Sequence, residues 1–468
     1  MNKPEKIAAE DLSEALTYPV EAFISREYAE AEPDKLWSKV WQQAGRVEEL
    51  KAVGDYITYN ICHDSILIVR DTPSSLKAFH NVCPHRGRRL VGNNTGGGPK
   101  TVAQDIGAHS AKGSQLSFGC NYHAWTFGLD GDATYIPDKE DWQGALDSVC
   151  TSLTPVQVDT WGGWIWINMD PQAGSLREYL EPVASLIDPF EFDKMRYRFR
   201  FWGLLDCNWK VALEAFLEPY HVQGTHPQLI KYGDFYSFSK AFGLHGKTGF
   251  DSKAHREAGT AVETSVHRAA GEGDPRTTIA QMQAEYWETI GASTSETLVK
   301  TAQRLPLELP EGTPAAEVHQ YWMKIAKEAD AARGVIWPEL TDKQLADAGL
   351  ALSIFPNVNF IPGPTFSLAY RVRPWGTDPD KCIFEAVALD RFGEGDEPET
   401  EWTFLEQDLD KWPYVISQDI SNMVEMQRGY KSRGFRGNLP NPWQERKVTN
   451  LHRGLAKYMG TGAPVPLD

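Results

Sequence analysis

The chain has 468 residues, with 47 Lys and Arg against 64 Asp and Glu and a formal charge of −17. That acidic balance argues against a nucleic-acid or anionic-membrane surface as the main partner. Hydrophobic residues make up 41% of the chain, enough for a well-buried core, and the length calls for two domains or one large mixed domain. No apolar run is long enough to span a bilayer, and Met1-Asn2-Lys3-Pro4-Glu5-Lys6 does not read as a signal peptide. A soluble cytoplasmic protein is expected.

In chain order, residues 1–36 read as polar and helical, a leader that packs on a later element. From Trp37 the pattern turns to strands. Segments 55–61, 65–70 and 76–81 are short, rich in β-branched and aromatic residues, and separated by turn residues. They predict a small antiparallel β domain. Two loops follow, Asn81-Val82-Cys83-Pro84-His85-Arg86-Gly87-Arg88-Arg89-Leu90 and Phe118-Gly119-Cys120-Asn121-Tyr122-His123-Ala124-Trp125. They read Cys-x-His and Cys-x-x-His. Two thiolates and two imidazoles can hold Zn(II), or a [2Fe–2S] cluster with cysteines on one iron and histidines on the other. Cys62, Cys150, Cys207 and Cys382 read as small buried residues in or beside apolar runs. Arg86, Arg88 and Arg89 form a local basic patch. It reads either as solvated charge with salt bridges to nearby carboxylates or as a docking edge for an acidic ferredoxin.

The strand pattern resumes from Val149 to Val158 and ends in an apolar strand over 161–168 that closes the domain. Near Asp170 the composition turns polar and helical, which sets the boundary. A strand over 196–206 then leads into the stretch from Asn208 to Pro227. There His221 and His226 stand five apart, with Glu214 and Glu218 just upstream. Five residues is a little over one helical turn, so both imidazoles can reach one point. Two neutral imidazoles with one carboxylate from elsewhere suit Fe(II) and leave coordination positions open for oxygen.

Residues 250–348 read as mostly helical, with Pro and Gly breaks. Val318, Tyr321, Trp322, Ile325 and Ala329 form an apolar stripe at helical spacing, on a helix packed against the core or on a lid over a substrate channel. From Leu350 the strands return. Phe366, Leu368, Tyr370 and Val372 alternate with Ser367, Ala369 and Arg371, which predicts a sheet with one buried face, and 382–390 is its neighbour. A closing helix starts near Trp412. No Gly-x-Gly-x-x-Gly follows a strand, so neither NAD nor flavin is expected in this chain. The region 220–370, rich in Phe, Tyr and Trp, is expected to supply a substrate pocket.

The two Cys/His loops and the His-x4-His segment resemble those of the Rieske non-heme iron oxygenases, the large (alpha) subunit of aromatic ring-hydroxylating dioxygenases. The likeness covers nearly the whole chain and includes Asn208-Trp209-Lys210. It implies an α+β fold, with a small antiparallel-β Rieske [2Fe–2S] domain over 37–168. A larger helix-grip (START-like) catalytic domain, an antiparallel sheet with covering helices, takes 1–36 and 169–468. By the same resemblance Cys83 and Cys120 hold one cluster iron, and His85 and His123 the other. His221, His226 and Asp419 hold a mononuclear Fe(II). Glu218 would bridge His221 to His123 of the partner subunit in a head-to-tail homotrimer, with or without a small beta subunit. Glu214 supports the site or the fold, Asn208 lines the site, and Tyr220 lines it or packs in the core.

The implied function is the terminal oxygenase component of a multicomponent dioxygenase. Electrons come from a separate NAD(P)H-dependent reductase, directly or through a ferredoxin, and O2 hydroxylates an aromatic or other hydrophobic substrate. One alternative is a monooxygenase or demethylase acting on an amine or methoxy substrate. Another, of a different class, is an electron-transfer Rieske protein without catalytic iron. The sequence departs from the family pattern twice. The gap between His85 and Cys120 is long, so residues 92–116 read as an inserted surface loop. Glu218 stands where the family usually carries Asp; some members of the branch that oxidises quaternary amines carry Glu there, so the position is tolerant and hints at a subgroup.

Overall fold

A computed structural model describes residues 15–92, 111–232, 236–250 and 273–467 of the chain. Most of the expected insertion at 92–116, the start of the leader and residues 251–272 of the helical region therefore lie outside the described residues. Two compact units are present. One is Glu30–Tyr179 with Trp375–Thr377; the other combines Met1–Ala29, Leu180–Pro374 and Asp378–Asp468. The divisions fall at 29/30 and 179/180, against 36/37 and 168/169 expected from composition.

The smaller unit is built on a seven-stranded antiparallel sheet. Its strand order is Gln42–Arg46, Trp164–Asn168, Pro155–Trp161, Ser75–His80, Asp64–Thr72, Asp55–Ile61 and Lys112–Ser114. Ile66, Leu67, Ile68 and Val69 are all fully buried, so the middle of the strand Asp64–Thr72 has no solvent face. Leu67, Val69 and Phe79 pack against Cys83, Leu90, Phe118, Cys120, Trp125 and Phe127. One face of the sheet is thus the floor on which both Cys/His loops rest. A three-stranded sheet of Phe118–Gly119, Thr126–Phe127 and Ala133–Tyr135 carries the second loop between its first two strands.

The larger unit centres on an eight-stranded sheet. In order it holds Ser237–Phe242, His245–Phe250, Ala351–Ile354, Val358–Pro362, Phe366–Trp375, Asp378–Asp390, Arg196–Leu205 and Thr403–Leu405, the last pair being parallel. The helix Arg446–Met459 packs on the first two strands. The strand Phe366–Trp375 differs from its expected one-sided pattern. Ser367, Arg371 and Arg373 are buried along with Leu368, Tyr370 and Val372. The reason is a charge triad, since Glu385 on the neighbouring strand takes both Arg371 (2.5 Å) and Arg373 (3.0 Å). A paired guanidinium can be buried where a lone one cannot.

Helices Pro275–Thr289, Glu296–Ala302 and Ala315–Ala332 pack together. Asp274 caps the first by accepting from the Arg276 amide, with Pro275 at its opening position. In the third, the buried face is Val318, Trp322, Ile325, Ala326 and Asp330. Tyr321 and Ala329 flank it, the Tyr321 hydroxyl donating to Glu308. Two cysteines also depart from expectation: Cys150 is exposed and Cys62 half-buried, whereas Cys207 and Cys382 are buried. No helix among the described residues is long and apolar enough to cross a membrane.

Candidate metal centres

The two Cys/His loops share one backbone frame. In the first, the Cys83 amide donates to the Arg88 carbonyl (2.8 Å) and the Gly87 amide returns to the Cys83 carbonyl (3.0 Å). In the second, the Cys120 amide donates to the Trp125 carbonyl (2.7 Å) and the Ala124 amide returns to the Cys120 carbonyl (2.9 Å). Gly87 (φ 73°) and Ala124 (φ 57°) both take left-handed conformations that tighten the turn. Asn81 clamps the first loop. Its carbonyl accepts from the Leu90 and Val91 amides, and its amide donates to Ser65 and the Val91 carbonyl.

These frames bring the four side chains together. Cys83 and Cys120 are buried against each other, and the His85 and His123 rings lie 4.7 Å apart. His85 stacks on Trp125 at 5.0 Å, and His123 lies 3.9 Å from the Tyr122 ring. Burial pushes the Cys83 thiol up, the His85 and Arg86 amides pull it down, and Cys120 adds to the rise. His85 is held below its ordinary value by burial, then by His123 and Arg86. The buried Nδ1 of His123 has no hydrogen-bond partner among the described residues. Two sulfurs, two imidazoles and an orphaned ring nitrogen fit a metal group ligated by both pairs. Around them Arg86 lies over the Tyr122 ring, Arg88 donates to the Arg89 carbonyl and Arg89 to the His63 carbonyl. None of the three makes an ion pair among the described residues, so the expected salt bridges are not found.

The second site is assembled from distant parts of the chain. Asn208 begins the helix Trp209–Glu214, and the chain then turns through Glu218 into the short helix Val222–Thr225, flanked by His221 and His226. The opposing wall is the helix Tyr414–Tyr430. Its start is fixed by Trp412, which packs against Phe201 and Phe384 and over Gly203, where any Cβ would collide with the indole. Its end is fixed by Gln427, which accepts from the Asn208 amide and donates to the Asp380 carboxylate. Asn422 donates to Thr225, closing the middle.

Asp419 thereby meets both imidazoles, its Oδ1 lying 3.0 Å from His226 Nε2 and 3.5 Å from His221 Nε2. Among the described residues, these three are the one group of His, Cys and carboxylate donors spaced to hold a single ion, all within 4.8 Å. The opposite ring nitrogens are tied down. His221 Nδ1 bonds Glu218 (2.8 Å) and His226 Nδ1 bonds the Gln418 carbonyl (2.9 Å). Both Nδ1 atoms are engaged by oxygen acceptors, so both Nε2 atoms are left facing Asp419, where loss of a proton frees them for a metal. Burial pulls His221 down, but the hydrogen bond and charge of Glu218, then Asp419 and Glu445, outweigh it and raise it to about 9. A metal entering here displaces that proton. Two imidazoles and one carboxylate fit the facial donor set of a mononuclear iron.

Other expected site residues are placed differently. Both ends of the Asn208 amide are engaged, accepting from the Lys210 amide (3.1 Å) and donating to the Pro379 carbonyl (2.9 Å). It is a helix cap, not a lining group. Tyr220 is half exposed rather than packed in the core. Glu214 is buried, bonded to His452 and to the Tyr18 hydroxyl, and with Glu218, His221, Asp419 and Glu445 it lines a cavity of about 200 Å3. Gln418, Gln427 and Asn81 were not expected. Gln418 had a signal, standing next to Asp419; the other two are legible only from their partners.

A second cavity, of about 840 Å3, lies beside the Val222 that follows His221. Leu229, Phe250, Tyr286, Trp322 and Phe366 contribute to its wall. Most of its lining comes from the expected region 220–370.

The fold and sites define a protein with one domain that gathers two cysteines and two histidines and a second domain in which two histidines and Asp419 converge. Residues 179–461 match the family described as the ring hydroxylating alpha subunit (catalytic domain), and residues 40–151 match the Rieske [2Fe–2S] domain. The chain belongs to the ring hydroxylating alpha subunit family and carries a Rieske domain. The Rieske match decides for a [2Fe–2S] cluster over zinc, and the catalytic-domain match removes the support for a bare electron carrier.

Among curated relatives, the carnitine monooxygenase oxygenase subunit of Escherichia coli (strain K12) is 32% identical over 226 residues, covering 48% of this chain and 55% of that protein. The glycine betaine monooxygenase oxygenase subunit of Pseudomonas aeruginosa (strain UCBPP-PA14) is 28% identical over 218 residues, 46% of each. The chain thus spans about half the length of the curated relatives it matches. Among solved structures, the quaternary ammonium Rieske monooxygenase CntA with L-carnitine has a TM-score of 0.61 at 20% identity, covering 96% of this chain and 97% of that one. Naphthalene 1,2-dioxygenase with indole bound has a TM-score of 0.61 at 18% identity, covering 99% and 96%. At these identities the structural likeness speaks for the fold alone.

Proposed function

We propose that this chain is the terminal oxygenase component of a multicomponent Rieske system that hydroxylates an aromatic or other hydrophobic substrate with O2. The carrying observation is the convergence of His221, His226 and Asp419 with both Nδ1 atoms anchored. In this reading those three residues hold iron, and Cys83, His85, Cys120 and His123 hold the cluster. When bound, the cluster supplies single electrons and the mononuclear iron supplies the site at which O2 is reduced beside the substrate.

The chain's own residues do the rest. Glu218 and Gln418 fix the ring orientations, which keeps both lone pairs aimed inward during turnover. The apolar cavity beside Val222 excludes water from the reacting carbon. Electrons come from a separate reductase or ferredoxin in the cytoplasm, and the exposed Arg86 and Arg89 beside the cluster loop supply a docking charge. Glu218 links His221 to His123 of the partner subunit in a homotrimer. A monooxygenase acting on an amine is the second reading, favoured by Glu218 and by the named activities of the two curated relatives above.

The test is on protein purified without air damage. About three irons and about two labile sulfides per chain are expected, with 18O from 18O2 appearing in product once a surrogate reductase and NADH are added. Two irons per chain and no labelled product would overturn the oxygenase reading. Substrate-dependent NADH consumption by the pure chain would overturn the separate reductase.

A further inference from the structure

One wall of the 840 Å3 cavity is a single helix face. Along Pro275–Thr289, residues Ile279, Met282, Gln283 and Tyr286 recur at spacings of three and four. Two of them bring polar atoms into this apolar wall. Gln283 is only 5% exposed; its carbonyl accepts from the Thr294 hydroxyl, and its amide nitrogen has no partner among the described residues. The Tyr286 hydroxyl, whose ring packs against Val222, Leu229 and Phe250, also makes no hydrogen bond among them. Neither group is sealed off, since Tyr286 is only half-buried and both residues line the cavity, so two donors one turn apart on its wall stand open to a ligand's acceptor.

The charges of the cavity narrow what that ligand is. Among the described lining residues the charged group is Asp342, which is exposed, and there is no Lys or Arg, so a substrate carboxylate finds no counter-ion among them. His319, on the adjoining wall, is held below its ordinary value by burial and stays neutral at physiological pH. Val222 places the reacting end of the cavity beside His221, with Tyr286 next to it and Gln283 almost one helical turn further along the wall.

We infer that Gln283 and Tyr286 are specificity-determining residues that select a neutral, ring-sized apolar substrate carrying one oxygen function. The amide donates to that oxygen, and the phenol donates to it or accepts from it. This rests on the reading above that the cavity is the substrate site, and it separates this chain from oxygenases of zwitterionic amines. A site with a built hydrogen bond discriminates strongly against the analogue that lacks the partner.

The experiment is calorimetric titration of the iron-loaded chain with 1-tetralone, tetralin and L-carnitine. Tetralone is expected to bind about tenfold or more tighter than tetralin, and carnitine not to bind. Tyr286→Phe should remove most of that ratio by weakening tetralone alone, with the tetralin affinity and melting temperature unchanged; Gln283→Met should do the same to the ratio while lowering the melting temperature, because the buried Thr294 hydroxyl loses its acceptor. Equal binding of ketone and hydrocarbon, equal weakening of both by the variants, or tighter binding of carnitine would overturn the inference. Turnover of the same ligands with reductase and O2 keeps the two readings apart. Selective binding without oxygenation would remove the oxygenase reading, whereas oxygenation without selectivity would remove this one.

Discussion

At the cluster, all four donors come from two loops that are near neighbours in the chain, and each loop closes on itself through two backbone hydrogen bonds. Its imidazoles are held by ring packing on Trp125 and Tyr122, and His123 Nδ1 is left without a partner among the described residues. At the mononuclear site the donors come from two distant segments, and each imidazole is held by a hydrogen bond to its far nitrogen. The first site is therefore local and steric, the second tertiary and electrostatic. Local frames survive the loss of one ligand, whereas a site shared between distant helices depends on every tie between them.

The largest effects test that division. Asp419→Ala should remove about one iron per chain and reduce product formation below about 1% of wild type, while the cluster's colour and sulfide stay. Cys83→Ala should remove about two irons and all labile sulfide and leave the mononuclear iron in place. Iron and sulfide counts on the two variants read both outcomes. Loss of both centres from either variant would show that the sites fold as one.

How far each site could be read from the sequence follows the same line. Cys83, His85, Cys120 and His123 announce themselves because spacing alone fixes which side chains a tight loop turns inward. His221 and His226 do so for the same reason. Asp419 does not, since nothing in its own helix marks it off from Glu425 as a donor; a resemblance of the whole segment was needed. Asn208 was misplaced because an Asn before a helix next to a metal segment serves equally as cap and as site residue, and only the Lys210 and Pro379 partners decide. Strand 366–375 misled by its alternation, because a sequence does not show that Glu385 will neutralise Arg371 and Arg373. The strand 55–61 was legible from its β-branched and aromatic composition rather than from alternation, since 56–59 are all buried, whereas helical burial followed period at Val318, Trp322 and Ile325.

The larger unit also buries a lysine, and Lys447 makes the cost of that burial measurable. It is 2% exposed, and its ammonium donates to Asn359 (3.1 Å). Burial pulls it down to about 7, with the charge of Glu218 pushing the other way. An unfolded lysine keeps its proton to about 10.4, so between about pH 7 and 10.4 the unfolded state binds more protons and stability rises with pH. Below about 7 both states are protonated and the slope vanishes. Lys447→Met should flatten that rise and add on the order of 1–3 kcal/mol at pH 7, read from urea unfolding at pH 7 and pH 9. An unchanged slope would mean that the amine is not what the helix Arg446–Met459 titrates.

The finest comparison is between the two cluster loops themselves. They share the same pair of backbone hydrogen bonds, yet the left-handed position is Gly87 in one and Ala124 in the other. A Cβ at Gly87 would meet nothing within 4 Å, so only backbone conformation distinguishes the two residues there. An L side chain at positive φ costs roughly 1 kcal/mol, partly offset because alanine restricts the unfolded chain more than glycine. Gly87→Ala should therefore lower stability by up to about 1 kcal/mol and Ala124→Gly should raise it by somewhat less. Both are read as shifts of opposite sign in the temperature at which the cluster's visible absorption bleaches. The absorption spectrum itself should not move, since neither change reaches a ligand atom. A shift of the same sign in both variants would show that the loops, alike in hydrogen bonding, are not alike in strain, and that Ala124 is held by its packing rather than tolerated by its turn.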